Sequence, residues 1–256
     1  LNKIGTTTDD ALLNGRVRLR QPKEGYRTAI DPVLLAACVR AEGRERVLDA
    51  GCGTGAAMLC LAARISGIDV TGLEIQPELA ALAEENIAQN NLQSRARVVA
   101  GDLAALPDIV CAYPFDIVIT NPPYGPDGTL SPDASLATAH HESHVDLARW
   151  IAACLKLLKP KGRLVMIHRA DRLSEIMAAL APTCGDIQIH PIFPKAGQPA
   201  KRVIVDAGKD RRTGDSLHSG LILHGDDGAY TPGTQAILRD LATLTGESTP
   251  PDRRIR

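Results

Sequence analysis

The chain has 256 residues, 44% of them apolar and 23% charged, with a formal net charge of −1. Such a length holds one domain with appendages, or two at most, and can bury a sizeable core. The composition excludes wholesale disorder, and the charge excludes a histone-like polycation.

In chain order, Leu1 to Gly15 lacks a basic-then-apolar leader pattern. Arg16 to Arg20 alternates basic and apolar residues as a half-buried strand does. Asp31-Pro32 opens an apolar stretch and predicts a helix with an acidic N-cap. From Arg46 onward short β-branched runs alternate with helical patterns. Strands are predicted at 47–50, 70–74, 96–100, 115–120 and 163–168. Helices are predicted at 54–66, 77–90 and 145–158, with a further one capped by Asp171 and ending before Pro182. This alternation predicts a parallel sheet covered on both faces. The pattern then changes: 187–193 and 202–205 lie too close for a helical crossover and predict an antiparallel pair. A strand at 221–224 and a helix from about Thr231 follow. The fold expected is α/β, a Rossmann-like doubly wound sheet, mostly parallel with an antiparallel C-terminal hairpin strand. Residues 1–45 are expected to form an extension of hairpin and helix packed on a catalytic domain at 46–244, with a flexible tail at 245–256. No apolar run approaches the ~18–20 residues of a membrane span. Six cysteines without a C-x-x-C pair give neither a disulfide framework nor a zinc ribbon, and they suit a reducing, cytoplasmic compartment.

The net charge hides an asymmetry. Residues 69–146 hold twelve acids and two bases; residues 147–256 hold seventeen bases and eleven acids; residues 1–40 hold seven bases and four acids. Either these are solvated surfaces, or the two ends share a basic face that attracts a polyanion. On the second reading Arg16, Arg18, Arg20, Lys195, Lys201 and Arg202 are the candidate phosphate contacts. Only one Trp, four Tyr and two Phe are present, so an RNA-binding sheet of stacked aromatics is not expected.

Asp49-Ala-Gly51-Cys-Gly53-Thr-Gly55 lies between a predicted strand and helix, where glycines allow tight turning and close backbone approach to a ligand. Gly51-x-Gly53-x-x-Ala56 also satisfies a dinucleotide fingerprint, so the loop alone does not separate NAD from S-adenosylmethionine. Asp49 favours the second: a pyrophosphate is repelled by it, and a sulfonium is not. Glu74 ends the next strand, placed to accept from ribose hydroxyls, and Asp102 follows the third, placed to accept from an adenine amine. VLDAGCGTG resembles the first motif of class I S-adenosylmethionine-dependent methyltransferases, and Glu74 and Asp102 fall where that family places its ribose and adenine carboxylates.

Asn121-Pro122-Pro123-Tyr124 ends the fourth strand, at the sheet edge where α/β proteins bind ligands. The Asn121 side-chain oxygen and the Pro122 carbonyl are two acceptors for the N–H groups of a planar amine. That pairing aims the nitrogen lone pair at a methyl group and favours the positive charge that develops in transfer. Tyr124 offers a stacking face. This segment resembles the motif shared by adenine-N6, cytosine-N4 and glutamine-N5 methyltransferases, a group that implies no metal. His140-His141-Glu142 is not a zinc signature, since Val145 stands where H-E-x-x-H needs a histidine.

Further segments are similar to the bacterial tRNA(Val) adenine-N6 methyltransferase family: Asn14-Gly-Arg-Val, Gln21 to Asp31, Ala139 to Glu142, His168 to Leu173, Pro194 to Val203, and Tyr230-Thr231. The resemblance covers about residues 10–240. It implies that Thr28 and Asp31 lead into the cofactor pocket and that the substrate is an adenine of a tRNA anticodon loop. His140 stands where that family more usually has Arg. Competing readings are a glutamine-N5 methyltransferase acting on a protein, a small-molecule or hydroxyl O-methyltransferase, and an RNA-binding protein with an idle cofactor fold. Only about 45 residues precede the glycine loop, too few for the helical domain that glutamine-N5 enzymes usually carry there. A hydroxyl acceptor wants a general base in place of two amine-directed acceptors.

Overall fold

The computed structural model describes residues 6–24, 27–123 and 146–244. The expected tail at 245–256 therefore lies outside the described residues, as do Tyr124 and the histidine segment at 140–142. The described chain runs β1 (Thr7–Leu12), β2 (Val17–Pro22), α1 (Asp31–Cys38), β3 (Arg46–Ala50), α2 (Ala56–Arg64), β4 (Asp69–Glu74), α3 (Pro77–Gln89) and β5 (Ala96–Ala100). It continues through α4 (Asp108–Cys111), β6 (Phe115–Thr120), α5 (Leu147–Leu157), β7 (Leu158–Arg169), α6 (Leu173–Leu180), β8 (Cys184–Lys195) and β9 (Arg202–Lys209). The last elements are β10 (Ser216–Leu217), β11 (Leu221–His224) and α7 (Pro232–Arg239).

The main sheet has the order β5-β4-β3-β6-β7-β9-β8, and both β10 and β11 lie on the outer edge of β8. Every neighbouring pair is parallel except those made by β9, which runs against β7 and β8. The mostly parallel doubly wound sheet and its antiparallel C-terminal hairpin strand are thus as the sequence predicts. Buried on both faces, the central strands VLDA and FDIVIT are apolar except for Asp49, Asp116 and Thr120. One apolar layer joins α1, α2 and the β1–β2 hairpin to the sheet, and the other joins α4, α5 and α6. All eight residues of α1 are buried, so this helix belongs to the core of the sheet domain rather than standing off it.

The chain leaves β3 for β4 and β5 on one side and returns to β6 and β7 on the other. This reversal opens a crevice beyond the carboxyl ends of β3 and β6, where open α/β sheets take their ligands. Helix ends follow local chemistry. Pro77 sits in the first turn of α3, and Asn91, with φ of 57°, ends it in the left-handed region that asparagine tolerates.

Two expected caps differ. Asp31 is the first residue of α1 rather than its N-cap, which is Ile30, and its carboxylate pairs with Arg202 Nε at 3.0 Å. Asp171 lies in a single 3₁₀ turn and pairs with Arg169, leaving Arg172 at the N-cap of α6. In both cases a guanidinium competes successfully with backbone N–H groups for the carboxylate. The partner strand of β2 is β1, paired antiparallel from Thr7↔Pro22 to Leu12↔Val17. Asn86, fully buried on α3, pins this hairpin. Its amide donates to Arg20 O at 2.8 Å and Thr54 O at 2.9 Å, and its oxygen accepts from Arg20 N.

Candidate active site

Sheet register gathers the expected residues at one edge. Ala50 at the end of β3 pairs with Thr120 at the end of β6, and Glu74 at the end of β4 pairs with Ala100 at the end of β5. The glycine loop, Glu74, Asp102 and Asn121 therefore leave four adjacent strands side by side. The loop turns sharply back over β4: the N–H groups of Gly51 and Cys52 both donate to Leu73 O, at 2.9 and 3.1 Å. Gly51 has φ of 74° and Gly53 has φ of 55°, both left-handed. A Cβ at Gly53 would meet nothing within 4 Å, so the loop backbone borders open space that a ligand can enter.

Two carboxylates lie under this loop. Glu74, 5% exposed, accepts from Gly53 N at 2.8 Å on one oxygen and from Gln76 N at 2.9 Å on the other. A carboxylate has about four lone-pair sites, so Glu74 keeps capacity to accept from further donors. Asp49, 1% exposed, accepts from Met58 N, the third residue of α2. It supplies the cap that Gly55, the N-cap residue of α2, has no side chain to give. Asp49 thus does not line the loop surface; it acts on a ligand through its field. Burial, aided by the Glu74 charge and opposed by the hydrogen bond from Met58 N, pushes the Asp49 carboxyl up to about 7. Burial likewise raises Glu74, against the opposing hydrogen bonds from Gln76 and Gly53. Two buried acids that share one site are relieved by a cationic ligand and disfavour an anionic one. A diol acceptor at Glu74, open space over Gly53 and an anionic floor together fit an adenosyl sulfonium.

Asp102 is half-exposed, with one oxygen held by Ala104 N at 2.8 Å in an Asx turn. Asn121 is half-exposed, Pro122 is buried and Pro123 is exposed. Ile75, 50% exposed beside Glu74, is an apolar side chain the sequence did not single out; it offers a surface for a planar base. Trp150 was also missed. Its Nε1–H donates to Thr120 Oγ1 at 3.0 Å. Thr28 N donates to Gln21 Oε1 at 2.8 Å, and Asp31 is committed to Arg202, so both serve the chain segment that closes the fold beside this edge.

The six basic candidates do not share one face. Lys195, Lys201 and Arg202 flank the β8–β9 turn, which rises at the carboxyl edge of the sheet beside Arg169. Arg16 donates to Arg239 O at the end of α7, and Arg18 lies against Asn90 at the end of α3. Both helices run opposite to the strands before them, so their ends mark the other edge of the sheet. Arg20 is paired with Asp9 at 2.9 Å and Glu85 at 3.5 Å. Arg16 and Arg20 are thus engaged with neighbouring groups, and the exposed Arg18 lies at the other edge from Asn121.

A family model described as a methyltransferase domain matches residues 41–208. A Bacteroides fragilis protein named tRNA1(Val) (adenine(37)-N6)-methyltransferase is 31% identical over 188 residues, 72% of this chain and 77% of that one. A Porphyromonas gingivalis protein of the same name is 33% identical; that match covers 59% of this chain and 61% of the relative's length. A solved structure titled a predicted O-methyltransferase, protein Atu636 from Agrobacterium tumefaciens, is 27% identical. It covers 83% of this chain and 97% of its own, with a TM-score of 0.69. A loop and carboxylates that fit a sulfonium, a family model over most of the sheet domain, and relatives of this identity and coverage place the chain among the S-adenosylmethionine-dependent methyltransferases, in the family of the tRNA1(Val) (adenine(37)-N6)-methyltransferases.

Proposed function

We propose that the chain methylates the exocyclic N6 amine of an adenine in single-stranded RNA, in a tRNA anticodon loop. The observation that carries this reading is the register of β3 against β6. It sets Asn121 and Pro122, two acceptors suited to an NH₂ group, one strand away from the glycine loop. S-adenosylmethionine, when bound, supplies a methyl group on a positively charged sulfur. Glu74 would hold the ribose hydroxyls, Asp102 the adenine amine, and the loop from Gly51 to Gly55 the aminoacyl end, with Asp49 acting from beneath it through its field. The Asn121 oxygen and the Pro122 carbonyl orient the acceptor amine and stabilise its growing positive charge, and Pro123 stiffens the turn. Tyr124, which follows Pro123 directly, is assigned the stacking of the target base. A loop base avoids the cost of leaving a duplex stack. The names of the relatives support adenine and tRNA. The test is incubation with labelled cofactor, first with total tRNA and then with release factor, followed by nucleoside mass spectrometry. Label in N6-methyladenosine supports the reading. Label in protein, in cytosine or on a hydroxyl overturns it.

Asp49 makes cofactor binding depend on pH. Its carboxyl, raised to about 7 by burial, is largely neutral below that pH and charged above it. A sulfonium favours the charged form, so S-adenosylmethionine binding is expected to release a proton below pH 7 and to strengthen as pH rises toward 7. S-adenosylhomocysteine, without the positive sulfur, is expected to show a shallower slope. Calorimetry in buffers of different ionisation enthalpy measures the proton, and Asp49→Asn should flatten the profile.

Lys195 and Lys201 are the phosphate contacts proposed at the basic turn. Replacing either with Ala is expected to weaken RNA binding evenly across sequences and to flatten the salt dependence by ~0.7–0.9 per contact. Filter binding from low to high salt checks this; an unchanged slope in the double variant would mean a merely solvated turn. Arg202→Ala should lower thermal stability instead, because it removes the ion pair at 3.0 Å from the largely buried Asp31 carboxylate.

A further inference from the structure

We propose that Trp150 is a positioning residue: one edge of its indole ring fixes the cofactor loop and the acceptor loop relative to each other, so that Trp150 also reports occupancy of the cofactor loop. The proposal rests on the assignment of Asn121 to the acceptor side and deepens it.

The backbone pairing of β3 with β6 stops at Ala50 and Thr120. Gly51 and Asn121 come immediately afterwards, where the two strands part into their loops. Trp150, the fourth residue of α5, lies across this point. Its Nε1–H donates to Thr120 Oγ1 at 3.0 Å, and the Thr120 hydroxyl donates onward to Ala50 O at 2.8 Å. On the same edge of the ring, Cη2 and Cζ2 stand 3.0 and 3.1 Å from where a Cβ at residue 51 would be. The indole edge thus lies across both strand ends, bonded to the residue before Asn121 and packed on the first glycine of the loop. Gly51 is needed on two counts: its φ of 74° and the ring against its Cα. Thr120 is fully buried, so its hydroxyl has no water to substitute for either partner. Leu147, Ile151 and Cys154 are buried on α5 and anchor the helix that carries the indole. A methyl donor in one loop and an amine held by the other react only when placed to within a fraction of an ångström. A device that sets this distance acts on turnover more than on binding.

Thr120→Val keeps the side-chain shape and removes both hydrogen bonds, and Thr120→Ser restores the hydroxyl. The valine variant is expected to lose about tenfold or more in kcat with S-adenosylhomocysteine affinity near wild type, and the serine variant to recover most of it. Trp150→Phe gives the same comparison should Thr120→Val fail to fold. The second readout needs no RNA. Trp150 is the single tryptophan of the chain, so intrinsic emission reports this ring alone. Titration of the wild-type protein with S-adenosylhomocysteine is expected to shift or quench the emission, saturating at the affinity found by calorimetry. Emission unmoved at saturating ligand overturns the proposal, as does a valine variant of normal kcat. It is also overturned if valine and serine variants lose activity only in proportion to folded protein. Because the emission arm uses cofactor product alone, a wrong assignment of the RNA acceptor would leave it intact and show separately.

Discussion

Asn121→Ala is expected to lose about 10²–10³-fold in kcat while binding S-adenosylhomocysteine as the wild type does. The split follows from when the charge appears. An exocyclic amine is nearly neutral before transfer, and its nitrogen becomes positive only as the new bond forms. An acceptor held against its N–H groups therefore binds the transition state much better than the ground state, and its loss falls on kcat rather than on KM. Asn121 is half-exposed, and the β6 strand before it is anchored by buried Phe115, Val118 and Ile119, so thermal melting of the variant separates any cost to the fold from the loss of turnover. Asn121→Asp is the sharper variant. It keeps an acceptor and adds negative charge beside the buried Asp49 and Glu74, which disfavours ionisation of all three. With cofactor saturating as well, its activity should rise more steeply with pH than that of the wild type. Single-turnover rates with saturating RNA measure both variants. Near-normal turnover of Asn121→Ala would place the chemistry elsewhere along the sheet edge.

The parts of this site that were legible in the sequence are those written in consecutive residues. A glycine loop after VLDA, a carboxylate at the end of the next strand and Asn-Pro-Pro after FDIVIT are each local signals, and sheet register carries them to one edge. What was not legible depends on pairs far apart in the chain. Trp150 and Thr120 meet across 30 positions, and nothing in the amphipathic pattern of α5 distinguishes a tryptophan over a strand end from one that fills a core. Asn86 looks like any polar residue on a helix until the hairpin lies upon it. The basic residues illustrate the converse. Arg16, Arg18 and Arg20 read as a charged strand face, yet the structure turns them to carbonyls, to the far edge and to acids. Charge counts carry no direction, so the sum over the chain ends suggested a common face that the topology divides.

Glu74→Ala is expected to weaken S-adenosylhomocysteine binding by about 10²–10⁴-fold, from two hydrogen bonds to a charged acceptor at ~1.5–3 kcal/mol each. The side chain already holds Gly53 N and Gln76 N, so alanine also frees two donors of the loop that it shapes. Against that, the substitution removes one of two neighbouring buried acids. Without the Glu74 charge, the Asp49 carboxyl should fall below about 7 while burial still holds it above its ordinary range, since that charge is a minor cause beside burial. The unliganded variant should therefore lose less thermal stability than the loss of two hydrogen-bond acceptors alone would cause. Affinity and stability then separate, which a general collapse of the loop would not produce. The pH dependence gives a further check. Burial raises Glu74 itself, so its protonated fraction grows at the acid end of the range. A protonated carboxyl accepts hydroxyl donors less strongly. The gap in affinity between wild type and Glu74→Ala should widen as pH rises and close as it falls. Isothermal calorimetry at three pH values measures it. A gap that is absent, or that stays constant with pH, would mean that the ribose is held by another group.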